Sequence, residues 1–426
     1  MLYQIVEEYY PQFISQLEDE GRSLPAYVKK EFEEYLRCGI LQHGFLRVQC
    51  GTCKHEKMVA FSCKKRGFCP SCGAKRMIES AALLVDDILT RQPYRQWVLS
   101  VPYPLRFLFA NQPVVLNSVL KIVHRTIETY LIKKAGFNKK KARTGAVTYI
   151  QRFGSALNLN LHPANSTGQV FHMLFLGGVF VEDANQKQRF VTISQPKSEE
   201  IVHLTHQLSL RVARHLERIG FIERDAENSY LVEDAFQNNE MAEHQSHSIN
   251  YRIAMGPQKG KKVFRLQTVA PITEEATLEI VGKVAGFSLH AGVVVKANQR
   301  DKLERICRYI ARPAISNQRL SLTPQGKIRY ELKTPYRDGT THIFFEPLDF
   351  ISKLAALVPP PKVNLIRFIG VFAPNNKHRE EIVNRKKAKK STSVDTRTEG
   401  EKRVAMTGAK NIFKRAFKID INICEK

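Results

Sequence analysis

The sequence predicts an α+β protein: a helical, cysteine-bearing N-terminal region, a strand-rich middle and a basic C-terminal tail. Three observations carry this. Apolar residues recur at helical spacing early in the chain, as Val28, Phe32, Tyr35 and Leu36 do in PAYVKKEFEEYLRCG. Period-two alternation takes over further on. In GSALNLNLH, Leu157, Leu159 and Leu161 alternate with Asn158, Asn160 and His162, the pattern of a half-buried strand with a polar face. Between the two lies a module holding six of the eight cysteines, Cys38 to Cys72.

Taken in order, residues 1 to about 48 read as helical, with Gly39 placed as a C-cap. The cysteine module spans 50–72, and AKRMIESAALLVDDILTR, 74–91, is an amphipathic helix. Pro93, Pro102, Pro104 and Pro113 mark a change of regime: QWVLSVPYPLRF reads as a strand and 114–134 as a helix. Strands are expected at 146–162 and 170–181, a helix at 198–219, and a polar loop over 223–248. Strands resume at 262–270 and 287–296, and residues 300–311 are helical. Hairpin-like runs at 319–333 and 341–346 carry turn signals at Pro324-Gln325-Gly326 and Arg337-Asp338-Gly339. PLDFISKLAALV is a helix stopped by Pro359-Pro360-Pro361. The chain beyond Lys377 is basic, with a last amphipathic segment at 409–423. Domain divisions are expected at 1–92, 93–376 and 377–426.

The 426 residues carry 66 Lys+Arg against 41 Asp+Glu, a net charge of +25. Such an excess favours a polyanionic partner, nucleic acid before membrane. The longest apolar run, Phe171 to Val181, is too short to span a bilayer, and MLYQIVEEYY has no secretory apolar region. Clustered cysteines in such a chain point to a reducing compartment and a metal.

Cys50-x2-Cys53 and Cys69-x2-Cys72, fifteen residues apart, have the paired-knuckle spacing of a structural zinc site, with Gly51 and Gly73 as turn residues. Cys38, Cys63, His43 and His55 could substitute as ligands or form a second site, but the favoured reading is that they are ordinary residues near the first. Lys64, Lys65 and Arg66 surround the module and suit a phosphate backbone.

In DKLERICRYIARP, Leu303, Ile306, Cys307 and Ile310 form one apolar stripe. Tyr309 lies off it, on the face of Lys302, Arg305 and Arg312, with Arg308 adjacent in sequence. A tyrosine among cations is a reasonable nucleophile for phosphorus, because the cations stabilise both the phenolate and the phosphate. A phosphotyrosine link conserves the phosphodiester bond energy, so no nucleotide cofactor is expected, and no phosphate loop is present.

These stretches resemble the rolling-circle transposases of the insertion sequence ninety-one type, including the insertion-sequence common-region proteins. Similar segments run collinearly from about residue 10 to 376: CGILQHGFLRVQCGTC, SCKKRGFCPSCGAKRM, WVLSVPYPLRF, QRFGSALNLNLH with FHMLFL, GFSLHAG, LERICRYIARPAIS and TPYRDGTTHIFFEPLDFISKLAALVPPPKVNLIRF. The resemblance implies an N-terminal zinc-binding, DNA-binding domain. It also implies an HUH (His-hydrophobic-His) nuclease domain with a central antiparallel sheet flanked by helices. It casts His162 and His172 as ligands of a catalytic Mg²⁺ or Mn²⁺, with His290 as third ligand and Gln151 as a weaker one. It casts Tyr309 as the nucleophile that forms a 5′-phosphotyrosine on single-stranded DNA at transposon ends and target. A bacterial, cytoplasmic, nucleoid-associated setting follows, with no membrane partner.

The chain departs from the family pattern in four places. The family motif reads roughly LNLHFHMLF, whereas nine residues separate His162 from His172 here, so PANSTGQV, 163–170, is an insertion. Arg305 and Pro313 stand four residues either side of Tyr309, as in single-tyrosine members. Gly177 and Ile369 replace a carboxylate and a histidine. Strand parity decides whether the metal pair survives. If 163–170 loop out, His162 and His172 keep a common face. A hairpin of 157–162 with 169–174 around six residues puts them on opposite faces. One around seven residues pairs Asn160 with His172 and leaves the histidines about 7–8 Å apart diagonally. The loop-out is favoured, since the flanking sequence still matches the parent strand. The alternative function is a catalytically impaired, zinc-dependent DNA-binding derivative. A tyrosine recombinase would need an Arg-His-Arg constellation that the chain does not show.

Overall fold

A computed structural model describes residues 1–50, 53–154, 156–159, 170–183, 185, 187–224, 229–231, 240–269, 281–336 and 338–383. The fold is mixed α/β, with N-terminal helices, a cysteine cluster and antiparallel sheets flanked by helices. The chain begins with α1 (Leu2–Asp19) and α2 (Ala26–Leu36), then the hairpin β1 (Phe45–Gln49) and β2 (Glu56–Ala60). Next come α3 (Pro70–Ala82), β3 (Tyr94–Ser100), α4 (Tyr103–Asn111) and α5 (Pro113–Lys134). Strands β4 (Ala142–Arg143), β5 (Gly145–Gln151), β6 (Val170–Leu176), β7 (Gly178–Glu182) and β8 (Gln188–Thr192) precede α6 (Ser198–Arg218). There follow β9 (Ile222–Arg224), β10 (Ser229–Leu231), α7 (Ala242–Ile249), β11 (Phe264–Gln267), β12 (Val281–Val284), β13 (Phe287–Val295) and α8 (Arg300–Ile310). The series ends with β14 (Leu320–Leu322), β15 (Ile328–Glu331), β16 (Thr340–Phe345), α9 (Pro347–Leu357), β17 (Ile366–Gly370) and the short α10 (Arg379–Ile382).

The large sheet has the order β12-β13-β3-β6-β5-β17 with every pair antiparallel. Because side chains alternate across a strand, its two faces carry different residues. Trp97, Leu99, Phe171, Met173, Phe175 and Leu289 pack on one face with apolar residues of α4, α5 and α6. Tyr94, Val147, Tyr149, Leu174 and Val295 pack on the other with Leu303, Cys307 and Ile310 of α8. A third core joins α1 and α2 to α7, β15, β16 and α9. It crosses the expected division at residue 92, so the N-terminal helices share their interior with residues 241–358. Helix α9 is buried on every side, as its nearly continuous apolar sequence requires, and it encloses an ion pair between Lys353 and Asp349 at 3.2 Å.

Several expectations need correction. The helical start ends at Leu36, because Phe45 to Gln49 pairs with β2 instead. The strand in QWVLSVPYPLRF stops at Ser100: Pro102 caps α4 and Pro104 sits in its first turn, where a missing N–H costs nothing. The strand at 146–162 ends at Gln151. Leu157 and Leu159 lie in the third core, but so does the intervening Asn158 side chain, which is 1% exposed and accepts a hydrogen bond from Tyr251 Oη at 3.1 Å. With Leu157 at φ +59°, in the left-handed region, this segment is no strand. The 170–181 run breaks at Gly177, whose ends join different sheets. Within the polar loop expected at 223–248, residues 242–249 form α7, which buries His244, Gln245 and Ser248; His244 lies 2.8 Å from Ser352 Oγ and packs against the Phe13 ring, and Ser248 Oγ accepts from Leu159 N at 2.9 Å. The segment at 409–423 lies outside the described residues.

Candidate zinc and tyrosine sites

The four-thiol cluster is not the one the spacing suggests. Sγ atoms of Cys38, Cys63, Cys69 and Cys72 all lie within 4.8 Å of one another. Individual separations are 3.8 Å for Cys38–Cys69, 3.7 Å for Cys38–Cys72 and 3.4 Å for Cys63–Cys72. A Zn–S bond of about 2.3 Å implies tetrahedral edges of about 3.8 Å, so the donor set fits zinc. Burial pushes the Cys38 thiol up to about 11, and a hydrogen bond to Cys69 together with burial raises Cys63 further. Thiolates held this close repel one another, and a cation among them offsets that repulsion, which is what zinc provides.

Cys50 and Cys53 fall outside this cluster because the β1–β2 hairpin carries them to its tip. There Cys50 N donates to His55 O at 2.8 Å, and Lys54 turns the chain at φ +58°. The hairpin base returns Cys38 and Cys63 to α3, secured by Gly39 N to Phe61 O at 2.9 Å. The readable signal was a pair of cysteines bracketing two alternating runs. Gly73 also has a different role from a turn residue. It is helical, and a Cβ there would lie 2.7 Å from Pro313 Cβ, so its smallness lets α3 press against the chain just past α8.

Tyr309 stands on α8 with its side chain outward, 48% exposed. The Arg312 guanidinium lies 4.3 Å from the ring centroid and Lys333 Nζ 5.7 Å from it. Arg312 also donates to Tyr309 O at 2.9 Å and to Gln151 Oε1 at 3.5 Å. The His172 ring meets the Tyr309 ring edge-on, with centroids 6.4 Å apart. His172 sits opposite Val98 on β3 and Tyr149 on β5, so Leu159 is not its partner, and the six-residue hairpin register is excluded; Asn160 lies outside the described residues. Burial, with Arg312 nearby, pushes its imidazole down to about 3, which keeps the ring neutral and able to ligate a metal.

Gln96, which the sequence did not single out, lies within 3.1 Å of His172 Nδ1 through its side-chain amide. With the amide nitrogen donating, Nε2 keeps the ring proton. With the amide turned so that its oxygen accepts from Nδ1, Nε2 is free for a metal. His290 lies opposite Val98 from the other side, so His290 and His172 share a sheet face with one strand between them. His162 lies outside the described residues. Lys302 Nζ donates to Val294 O at 2.7 Å and Arg308 lies 3.8 Å from Glu304, whereas Arg305 is exposed. Lys65 and Arg66 line a cavity that Arg312 also borders.

A four-thiol module that suits zinc thus packs, through α3, against the segment just past the helix that carries a tyrosine among cations, an arrangement suited to nucleic acid. Comparison supplies the family. Residues 145–380, more than half of the chain, match the family model Y2_Tnp, described as "Putative transposase", and residues 5–101 match the zinc-binding domain of transposases of the insertion sequence ninety-one type. The chain therefore belongs to this transposase family, with a zinc domain followed by a transposase domain. No curated protein and no solved structure matches it. DNA is the partner this family implies, and no helix among the described residues is long and apolar enough to cross a membrane.

Proposed function

We propose that this transposase nicks and rejoins single-stranded DNA at transposon ends by rolling-circle chemistry, through a 5′-phosphotyrosine at Tyr309. The observation that carries this reading is the meeting of Tyr309, His172 and Arg312 on one face of the sheet. The Tyr309 oxygen attacks the scissile phosphorus, forming a phosphotyrosine bond as the P–O3′ bond breaks. The phenolic proton passes to solvent and the leaving 3′-oxygen ends as a hydroxyl. Arg312 and Lys333 offset the charge gathered on the phosphate and phenolate. His172, with His162 and His290 as the other candidates, would hold a Mg²⁺ or Mn²⁺ ion whose Lewis acidity polarises the phosphate.

The test is a labelled single-stranded oligonucleotide carrying the element's end, incubated with Mg²⁺ or Mn²⁺. A covalent adduct that disappears in Tyr309→Phe is expected; an adduct that persists in that variant refutes the assignment. The second reading, an impaired DNA-binding derivative, draws on the departure of residues 156–159 from the strand that the family motif requires. It predicts no adduct from the full chain, and adduct once 163–170 are deleted.

A further inference from the structure

Between α3, the end of β5 and the segment after α8 lies a cavity of about 110 Å³. Five cations line it, Lys65, Arg66, Arg76, Arg152 and Arg312, together with Gln151. Among its described lining residues there is no Asp or Glu. The Glu31 carboxylate lies within the field of Lys65, Arg66 and Arg76, but it accepts from Gly67 N at 2.7 Å and burial pushes its pKa up. Arg66 is held by the Val363 carbonyl at 2.7 Å, and Arg76 by those of Lys64 at 2.8 Å and Lys65 at 3.0 Å. Arg152 differs. It is 9% exposed, and its Nε and Nη2 are buried with no partner among the described residues. A buried guanidinium with two nitrogens unpartnered is destabilising. An anion in the cavity offsets this.

We propose that this cavity is a phosphodiester-binding subsite that takes a backbone phosphate of the strand presented to Tyr309. The strand assignment rests on the function proposed above. Arg312 borders the cavity and stacks on Tyr309, so one guanidinium spans both places. A phosphate held there sets the register of the strand without reading its bases.

The test uses full-length Tyr309→Phe protein with its zinc and no added Mg²⁺ or Mn²⁺, titrated into a fluorescent single-stranded oligonucleotide over a salt series. Arg152→Met should weaken binding about tenfold and lower the salt slope by about one. Its Tm should hold or rise, because an uncompensated buried charge is gone, and Arg152→Lys should recover part of the affinity. Unchanged affinity and slope in Arg152→Met overturn the proposal, whatever its Tm. If that variant does not fold, neutral methylphosphonates placed one at a time beside the scissile position should reproduce the loss in the Tyr309→Phe protein, and no sensitive position overturns it. Inorganic phosphate that raises Tm without competing with the oligonucleotide assigns the cavity to free phosphate and overturns the strand assignment. Arg152-dependent binding without any adduct from the Tyr309-containing protein sinks the nicking reaction but not the subsite.

A separate observation lies on the other face of the sheet. A groove of about 730 Å³ between α5 and α6 is lined by Lys121, Arg125, Lys139, Arg211, Arg214 and Arg218, with no Asp or Glu among its described lining residues. Arg211, Arg214 and Arg218 repeat at helical spacing along one face, where like charges repel. Arg211 is held by the neutral hydroxyl of Thr126 at 2.9 Å, and Glu128 is a carboxylate in the field of Lys139, Arg125 and Arg143. We infer that this groove takes the phosphodiester backbone of a second DNA segment, away from Tyr309. Joint Arg211→Gln and Arg214→Gln replacement should weaken duplex binding and lower its salt slope by about two, with adduct formation on a short oligonucleotide retained. An unchanged slope, or loss of adduct in step with binding, refutes this.

Discussion

Tyr309 was legible in the sequence because an amphipathic helix announces which side chains leave the apolar stripe. Gln96 was not, since a polar residue in a strand gains meaning only from the neighbour across the ladder, here His172. If Gln96 orients the His172 ring for a metal, Gln96→Leu should lower the metal affinity of adduct formation about 10–100-fold. A metal titration checks this, and an unshifted curve excludes the role. Two histidines remote from Tyr309 set a pH dependence. Burial pushes His124 and His244 each down to about 3; His124 lies 2.8 Å from Thr148 Oγ1, and His244 lies 2.8 Å from Ser352 Oγ. Unfolding lets each take a proton near its ordinary pKa of about 6.5. Their stabilisation is therefore whole above about pH 6.5 and is lost as pH falls toward 3, at about 1.4 kcal/mol per pH unit for each. Thermal unfolding between pH 7.5 and 5 should show it, with a shallower slope by one proton in His244→Asn.

At the scale of elements, the β1–β2 hairpin decides the metal site. Four cysteines at zinc-knuckle spacing were visible in the chain, but spacing does not say which loops return to the same place. The hairpin sends Cys50 and Cys53 outward and brings Cys38 and Cys63 back to the start of α3. We expect Cys63→Ser to lose the bound zinc and lower Tm, and the joint Cys50→Ser, Cys53→Ser variant to keep one zinc per chain. Metal analysis of purified protein decides between the two sets. In α9 the sequence foretold the helix and its proline stop, but not the ion pair inside it. Lys353→Ala leaves Asp349 buried without its cation, and should cost about 3–5 kcal/mol in chemical denaturation.

Across the whole molecule, charge and burial are distributed so that cations meet at two places on opposite sides of one sheet, near Arg152 and between α5 and α6. Sequence by itself determined the α+β class, the zinc module, the basic excess, the tyrosine helix and the likeness to the transposase family. All of these are local patterns or collinear matches, so they survive without knowledge of the fold. Only the tertiary structure decided which four thiols converge and that residues 156–159 leave the sheet for another core. It alone placed His172 opposite Val98 and Tyr149, beneath the Tyr309 ring. The physical reason is common to all three. Ligation, core burial and cross-strand pairing join residues far apart in the chain, and the alternation in GSALNLNLH was compatible with a strand until Asn158 proved as buried as Leu157 and Leu159.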